Sequence, residues 1–233
     1  MNRTTPCPSL FESGELRSVT GPAIRPGGLS LTERALKFCA IRPGERVLDA
    51  GCGEGATIAH LRNVRGLAGV GLDPSAFLLS SGKCRDPEIP FVRGKAEALP
   101  FADHSFAGIL CECVLSLVQD PAAALGEFFR ILGPKGHLVV SDVYSRYATP
   151  PSDPPVRSCL GGAATVEVIQ RRITDAGFSI LLWEDHTPAL KYLAARLVFA
   201  HGSLAGFWKK TGGECTAGGK PGYFLLVGRK TDG

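Results

Sequence analysis

The chain has no apolar run approaching the roughly 18 residues of a membrane-crossing helix. Its N-terminus lacks the apolar core of a signal peptide. Neither a membrane span nor a leader is therefore expected. The basic residues form no runs: 26 Lys and Arg against 22 Asp and Glu leave a formal charge of +4, so nucleic acid is not indicated as a partner. Eight cysteines include no C-x-x-C pair, which argues against a structural zinc site. With no mark of secretion, reduced thiols in a cytoplasmic protein are expected rather than a disulfide framework. The five histidines have no metal-ligand spacing, and no nucleophilic triad is visible. What remains is 233 residues, 44% hydrophobic and 21% charged, the profile of one ordinary globular domain.

Residues 1–30 are rich in Pro, Gly, Ser and Thr and read as an irregular arm ahead of a domain over 31–233. The pattern predicts helices over 31–39, 55–62, 75–82, 121–132, 166–176 and 190–209, with Ser30 or Thr32 capping the first. Strands are predicted over 46–50, 69–72, 89–92, 106–111, 137–142, 178–184 and 223–227. Strands alternating with helices at this spacing specify βαβ units, a parallel sheet and a Rossmann-like three-layer α/β sandwich. Right-handed crossovers bring the carboxyl ends of the strands to one edge, where ligands bind. Residues 144–165, proline-rich after the fifth strand, read as a lid or substrate segment over that edge.

The stretch Val47-Leu48-Asp49-Ala50-Gly51-Cys52-Gly53-Glu54-Gly55 reads as a strand, an acid at its end and a glycine turn opening a helix. Glycine lets the backbone turn tightly and approach a ligand closely. The Asp49 carboxylate suits a cationic or polar ligand better than a pyrophosphate. The stretch resembles motif I of the class I S-adenosylmethionine-dependent methyltransferases. The resemblance continues through Gly71-Leu72-Asp73-Pro74-Ser75, Gly94-Lys95-Ala96-Glu97-Ala98-Leu99-Pro100-Phe101 and Arg130-Ile131-Leu132-Gly133-Pro134-Lys135-Gly136, in the family's order over roughly residues 40–145. It implies a mostly parallel seven-stranded sheet with an antiparallel C-terminal strand, S-adenosylmethionine as cofactor and methylation of a small-molecule acceptor.

Carried over residue by residue, the resemblance implies that Asp49, Gly51, Cys52 and Gly53 hold the methionine part. Asp73, followed by Pro74, accepts from the ribose hydroxyls, an N-cap role for Asp73 being the alternative. Ala96 and Glu97 lie near the adenine, and Cys111 lies at the strand edge beside the sulfonium. Lys95 departs from the pattern: relatives carry an acid there that accepts from the adenine amino group, and lysine cannot accept. For the acceptor, Arg25 on the arm and Tyr144 after the fifth strand are candidates. The run Cys159-Leu160-Gly161-Gly162-Ala163 resembles the arsenite methyltransferases, where thiolates suit the soft metalloid. Cys159 would then serve it, with Cys39 on the N-terminal side of the fold and Cys215 in the C-terminal region as further thiols. The motif set equally resembles methyltransferases of quinone biosynthesis. Two rivals stand beside these readings. Gly51 to Ala56 satisfies G-x-G-x-x-A of dinucleotide oxidoreductases, against which Asp49 argues. A catalytically silent cofactor-binding protein is the other, motivated by Lys95. Acceptor atom and oligomeric state are open at this point.

Overall fold

The computed structural model describes residues 8–147, 160–211 and 220–232. The elements run α1 (Pro8–Glu12), α2 (Glu15–Thr20), α3 (Gly28–Leu36), β1 (Arg46–Ala50), α4 (Ala56–Arg65), β2 (Ala68–Asp73), α5 (Ala76–Arg85), β3 (Phe91–Arg93) and β4 (Phe106–Glu112). They continue α6 (Pro121–Ile131), β5 (Leu132–Ser145), α7 (Val166–Asp175), β6 (Phe178–Asp185), α8 (Thr187–His201), α9 (Leu204–Thr211) and β7 (Pro221–Lys230). The seven strands form one sheet in the order β3-β2-β1-β4-β5-β7-β6. β7 is antiparallel to β5 and β6, and the remaining pairs are parallel. The strand order reverses between β1 and β4, which opens a crevice at their carboxyl ends.

Both sheet faces are covered, so the strands read as near-continuous apolar runs whose side chains alternate between two cores. Leu48, Ala50, Leu138, Val140, Phe224 and Leu226 face the core built with α6 and α7. Val47, Val139, Val143, Tyr223, Leu225 and Val227 face the one built with α3 and α4. α6 begins as its sequence implies, with Pro121 in its first turn and the Asp120 carboxylate accepting from the amides of Ala122 and Ala123, each at 3.0 Å.

The elements depart from the sequence expectations where tertiary packing outweighs local pattern. The arm is not irregular: α1 and α2, of five and six residues, are too short to register a 3.6-residue period or to stand alone. They are held by packing Leu10, Leu16 and Val19 against Leu197 and Phe207 of α8 and α9. α3 starts at Gly28 with Gly27 before it, not with Ser30 or Thr32 as cap, because Thr32 is buried and engaged elsewhere. The helix expected over 190–209 divides at Gly202, whose φ of 77° no ordinary helical residue adopts. β5 starts at Leu132 instead of 137, joining β4 again beyond a register shift. Among the described residues no helix is long and apolar enough to cross a membrane.

Candidate cofactor and acceptor site

A cavity of about 590 Å³ opens at the carboxyl ends of β1, β2 and β4. Its floor is the β1–α4 loop. Gly51 and Gly53 take left-handed φ values of 82° and 54°, which only glycine adopts without strain. A Cβ on Gly51 would stand 2.2 Å from Val114 Cγ2. Gly51→Ala therefore combines a clash with about 1–3 kcal/mol of backbone strain. The expected outcome is a lower melting temperature together with weakened ligand binding in a calorimetric titration.

Asp73 organises this loop. Its Oδ2 accepts from the Gly53 amide at 2.9 Å and its Oδ1 from the Ser75 amide at 2.8 Å. Asp73 is not the cap of α5: Ser75 is, its Oγ accepting from Leu78 N at 3.2 Å. Pro74 precedes the cap, two positions before the first helical residue, Ala76. Burial raises the Asp73 carboxyl above its ordinary value, and the two amides offset part of that.

Behind the loop lies a buried charge cluster. Glu112 ends β4 on the same sheet face as Asp49, because Asp49 pairs with Leu110 in register and side chains alternate. The Arg25 guanidinium reaches Glu112 at 2.8 Å, with side-chain exposures of 8% and 2%. Its Nη1 donates to Thr57 Oγ1 at 3.0 Å and its Nη2 to Thr32 Oγ1 at 2.6 Å. Thr32 in turn donates to Glu112 Oε1 at 2.9 Å. The ion pair itself is close but not aligned as a hydrogen bond, and Arg25 Nε is buried without an acceptor among the described residues. Arg25 meets Glu112 directly and Asp49 at longer range, while the buried Asp73 adds a further negative charge beside Asp49. Burial and then Glu112 push the Asp49 carboxyl up to about 7, partly opposed by Arg25. Asp49 accepts no hydrogen bond from the described residues, so its oxygens are available to a ligand. Such excess of buried negative charge suits a bound cation.

Of the residues that the sequence singled out, Asp49, Gly51, Cys52, Gly53, Asp73, Pro74, Ala96, Glu97 and Arg25 line this one cavity. Lys95 lines it too and is solvent-exposed. Glu97 accepts from the Gln119 amide at 3.0 Å, tying one wall to the loop after β4. Three expectations need correction. Cys111 does not reach the cavity; alternation along β4 turns it into the opposite core, where it is fully buried. Tyr144 likewise packs in that core against Trp183 and Phe224, its hydroxyl donating to Asp185 at 3.1 Å. Arg25 finds its carboxylate inside the protein, at Glu112, not on a ligand. Cys159 and Cys215 lie outside the described residues. Cys39 sits against the α3 backbone, Sγ at 3.5 Å from Ala35 O, with burial raising its thiol to about 12.

Sequence reasoning gave Glu112 and Thr57 no role in the site and took Thr32 only as a helix cap. Glu112 had one available signal, an acid at a strand's carboxyl end in the same position as Asp49 and Asp73. The arm expected over residues 1–30 covers the site: Phe11, Glu12, Arg17 and Pro22 to Ile24 form a whole wall of the cavity. Glu12 accepts from the Ser75 hydroxyl at 2.5 Å, and Arg17 pairs with Glu54.

Comparison with known proteins agrees with this geometry. Residues 48–140 match the family described as "Methyltransferase domain". The demethylmenaquinone methyltransferase of Renibacterium salmoninarum is 43% identical over 100 residues, 43% of this chain and 42% of that protein. The arsenite methyltransferase of Halobacterium salinarum is 30% identical over 152 residues, 60% of this chain and 39% of that protein. These alignments span less than half of either relative's length. Among solved structures, the phosphoethanolamine N-methyltransferase 2 of Haemonchus contortus, in complex with S-adenosyl-L-methionine, superposes with a TM-score of 0.77 at 19% identity, covering 95% of this chain and 57% of that one. The [4+2]-cyclase SpnF superposes with a TM-score of 0.76 at 23% identity, covering 96% and 94%. Both show the fold alone. Residues 48–140 thus carry a methyltransferase domain, of the kind that uses S-adenosylmethionine.

Proposed function

We propose that the chain methylates a small-molecule acceptor held between the N-terminal arm and the loop after β4. One observation carries this reading: the buried carboxylates Asp49, Asp73 and Glu112 and a glycine turn lie at one side of a cavity whose arm and β4-loop walls are largely apolar. Phe11, Pro22, Ala23, Ile24, Val114, Leu117 and Val118 supply those walls. They suit an acceptor with a sizeable apolar body, and the demethylmenaquinone methyltransferase relatives favour the same kind of molecule. S-adenosylmethionine supplies a methyl group already activated on a sulfonium. The protein's own work is then alignment and exclusion of water. Asp73 holds the ribose end, the Gly51–Gly53 turn passes under the methionine part, Asp49 and Glu112 supply the negative field, and Arg25 clamps the arm shut above them.

The Asp49 carboxyl gives this reading a pH signature. A cationic ligand favours the ionised form of a group that titrates near 7 in its absence. Binding below that pH therefore expels a proton, and affinity rises with pH until about 7 and then levels off. Well below 7 the slope approaches about tenfold per pH unit. Titration calorimetry with S-adenosylmethionine between pH 5.5 and 8, in buffers of different ionisation enthalpy, reads this directly. Asp49→Asn should flatten the profile. An affinity independent of pH would remove Asp49 from the site. Mass detection of methylated product over hydroquinones, phenols, amines and arsenite then assigns the acceptor. Turnover of arsenite that Cys159→Ser abolishes would replace the organic reading with the metalloid one. No affinity for S-adenosylhomocysteine would end both.

A further inference from the structure

Helices α8 and α9 carry a face that the cavity does not use. From Thr187 to Thr211 the chain contains Lys191, Arg196, Lys209 and Lys210 and no aspartate or glutamate. α8 is apolar on two sides. Leu193 and Leu197 point inward, onto α1, α2 and α9. Outward, Phe199 is 95% exposed and Tyr192 67%, with Val198 also exposed. A helix apolar all round is ordinarily buried all round. Tyr192, Arg196 and Phe199 are spaced i, i+4, i+7 and so share one face. The Arg196 guanidinium lies over the Tyr192 ring, 5.9 Å from its centroid. Among the described residues Lys191, Arg196 and Lys209 have no carboxylate partner, while Lys210 pairs with Glu15 at 2.8 Å.

We propose that the outer face of α8, centred on Tyr192, Arg196 and Phe199, docks on an anionic lipid bilayer. Aromatic side chains enter the headgroup layer, and the flanking cations meet the lipid phosphates. Charge selects this occupant. Neither helix offers a carboxylate to repel anionic headgroups. A two-fold contact with a second copy through the same patch would set Lys191 and Arg196 against their own equivalents. At 15 residues, α8 is about 22 Å long, suited to lying in the interface and not to crossing it. α2 packs on α8, and Arg17 of α2 lines the cavity. Docking therefore sets the cavity's N-terminal wall one helix away from the lipid. The inference rests on this surface and not on the acceptor reading.

Co-sedimentation of the full chain with phosphatidylcholine vesicles, with and without phosphatidylglycerol, tests it. The chain should pellet with the anionic vesicles, remain in the supernatant with phosphatidylcholine alone, and be released by salt. Lys191→Glu with Arg196→Glu should lower partitioning by about 25-fold or more, at roughly fivefold for each cation lost. Phe199→Ser should lower it about tenfold. Both variants should keep wild-type affinity for S-adenosylhomocysteine, which verifies their fold. Equal sedimentation with both vesicle types, or variants that partition like the wild type, would overturn the proposal. So would a concentration-dependent dimer, without lipid, that Phe199→Ser dissolves; that result would assign the face to a second copy.

Discussion

Arg25→Ala should lower stability by about 3–5 kcal/mol, because it strands a buried carboxylate without its counter-ion. The guanidinium serves Glu112, Thr32 and Thr57 at once, and no other cation faces Glu112 within the cluster. For a chain of this size the loss corresponds to a fall in melting temperature of about 6–20 °C. The pH dependence identifies the cause. Burial already raises the Glu112 carboxyl above its ordinary value, with Arg25 and then Thr32 offsetting part of the rise. Removing Arg25 raises it further. A carboxyl with a raised folded pKa costs nothing below its unfolded pKa, and the cost grows as pH climbs through the folded one. The deficit of the variant relative to wild type should therefore shrink at pH 4 and be larger at neutral pH. In a Glu112→Gln background the same substitution should cost much less, since no charge is stranded. Thermal melts of the four proteins at both pH values measure this. A fall of less than 2 °C for Arg25→Ala at pH 7 would show that the ion pair does not hold the arm.

Asp73→Ala should weaken S-adenosylhomocysteine binding by about 1–3 kcal/mol, the cost of removing a buried charged hydrogen-bond partner. Two effects combine in it. The substitution releases the amides of Gly53 and Ser75 and so loosens the glycine loop. It also removes the acceptor proposed for the ribose. A 2′-deoxyribose analogue of S-adenosylhomocysteine separates them. If Asp73 meets the ribose, the analogue loses affinity for the wild type and loses none for the variant, as a double-mutant cycle requires. Equal losses in both proteins would leave Asp73 as a loop-organising residue only.

Much of the fold was legible because it is written in local signals. β1 was predicted at its observed bounds, and the cofactor-loop residues Asp49, Gly51, Gly53 and Asp73 do converge. Each lies at the carboxyl end of a parallel strand or in the turn after it, and strand ends in βαβ units share one edge. Cys111 and Tyr144 failed for a related reason. Position along a strand is readable from sequence, but which sheet face a side chain takes depends on the register with its neighbours.

The sequence by itself determined the βαβ order, the glycine turn, the acid at the end of β1 and the acid at the end of β2, since each follows from residue type and spacing within a few positions. Only the tertiary structure decided what closes the site. Arg25, Thr32, Thr57 and Glu112 are separated by up to 87 residues in the contacts they make, from Arg25 to Glu112, and no periodicity links them. The arm helices α1 and α2 hold their shape because α8 and α9 bury their apolar side chains, a contact spanning most of the chain. The raised Asp49 carboxyl has the same origin: its pKa belongs to the cluster that folding assembles around it, not to the residue.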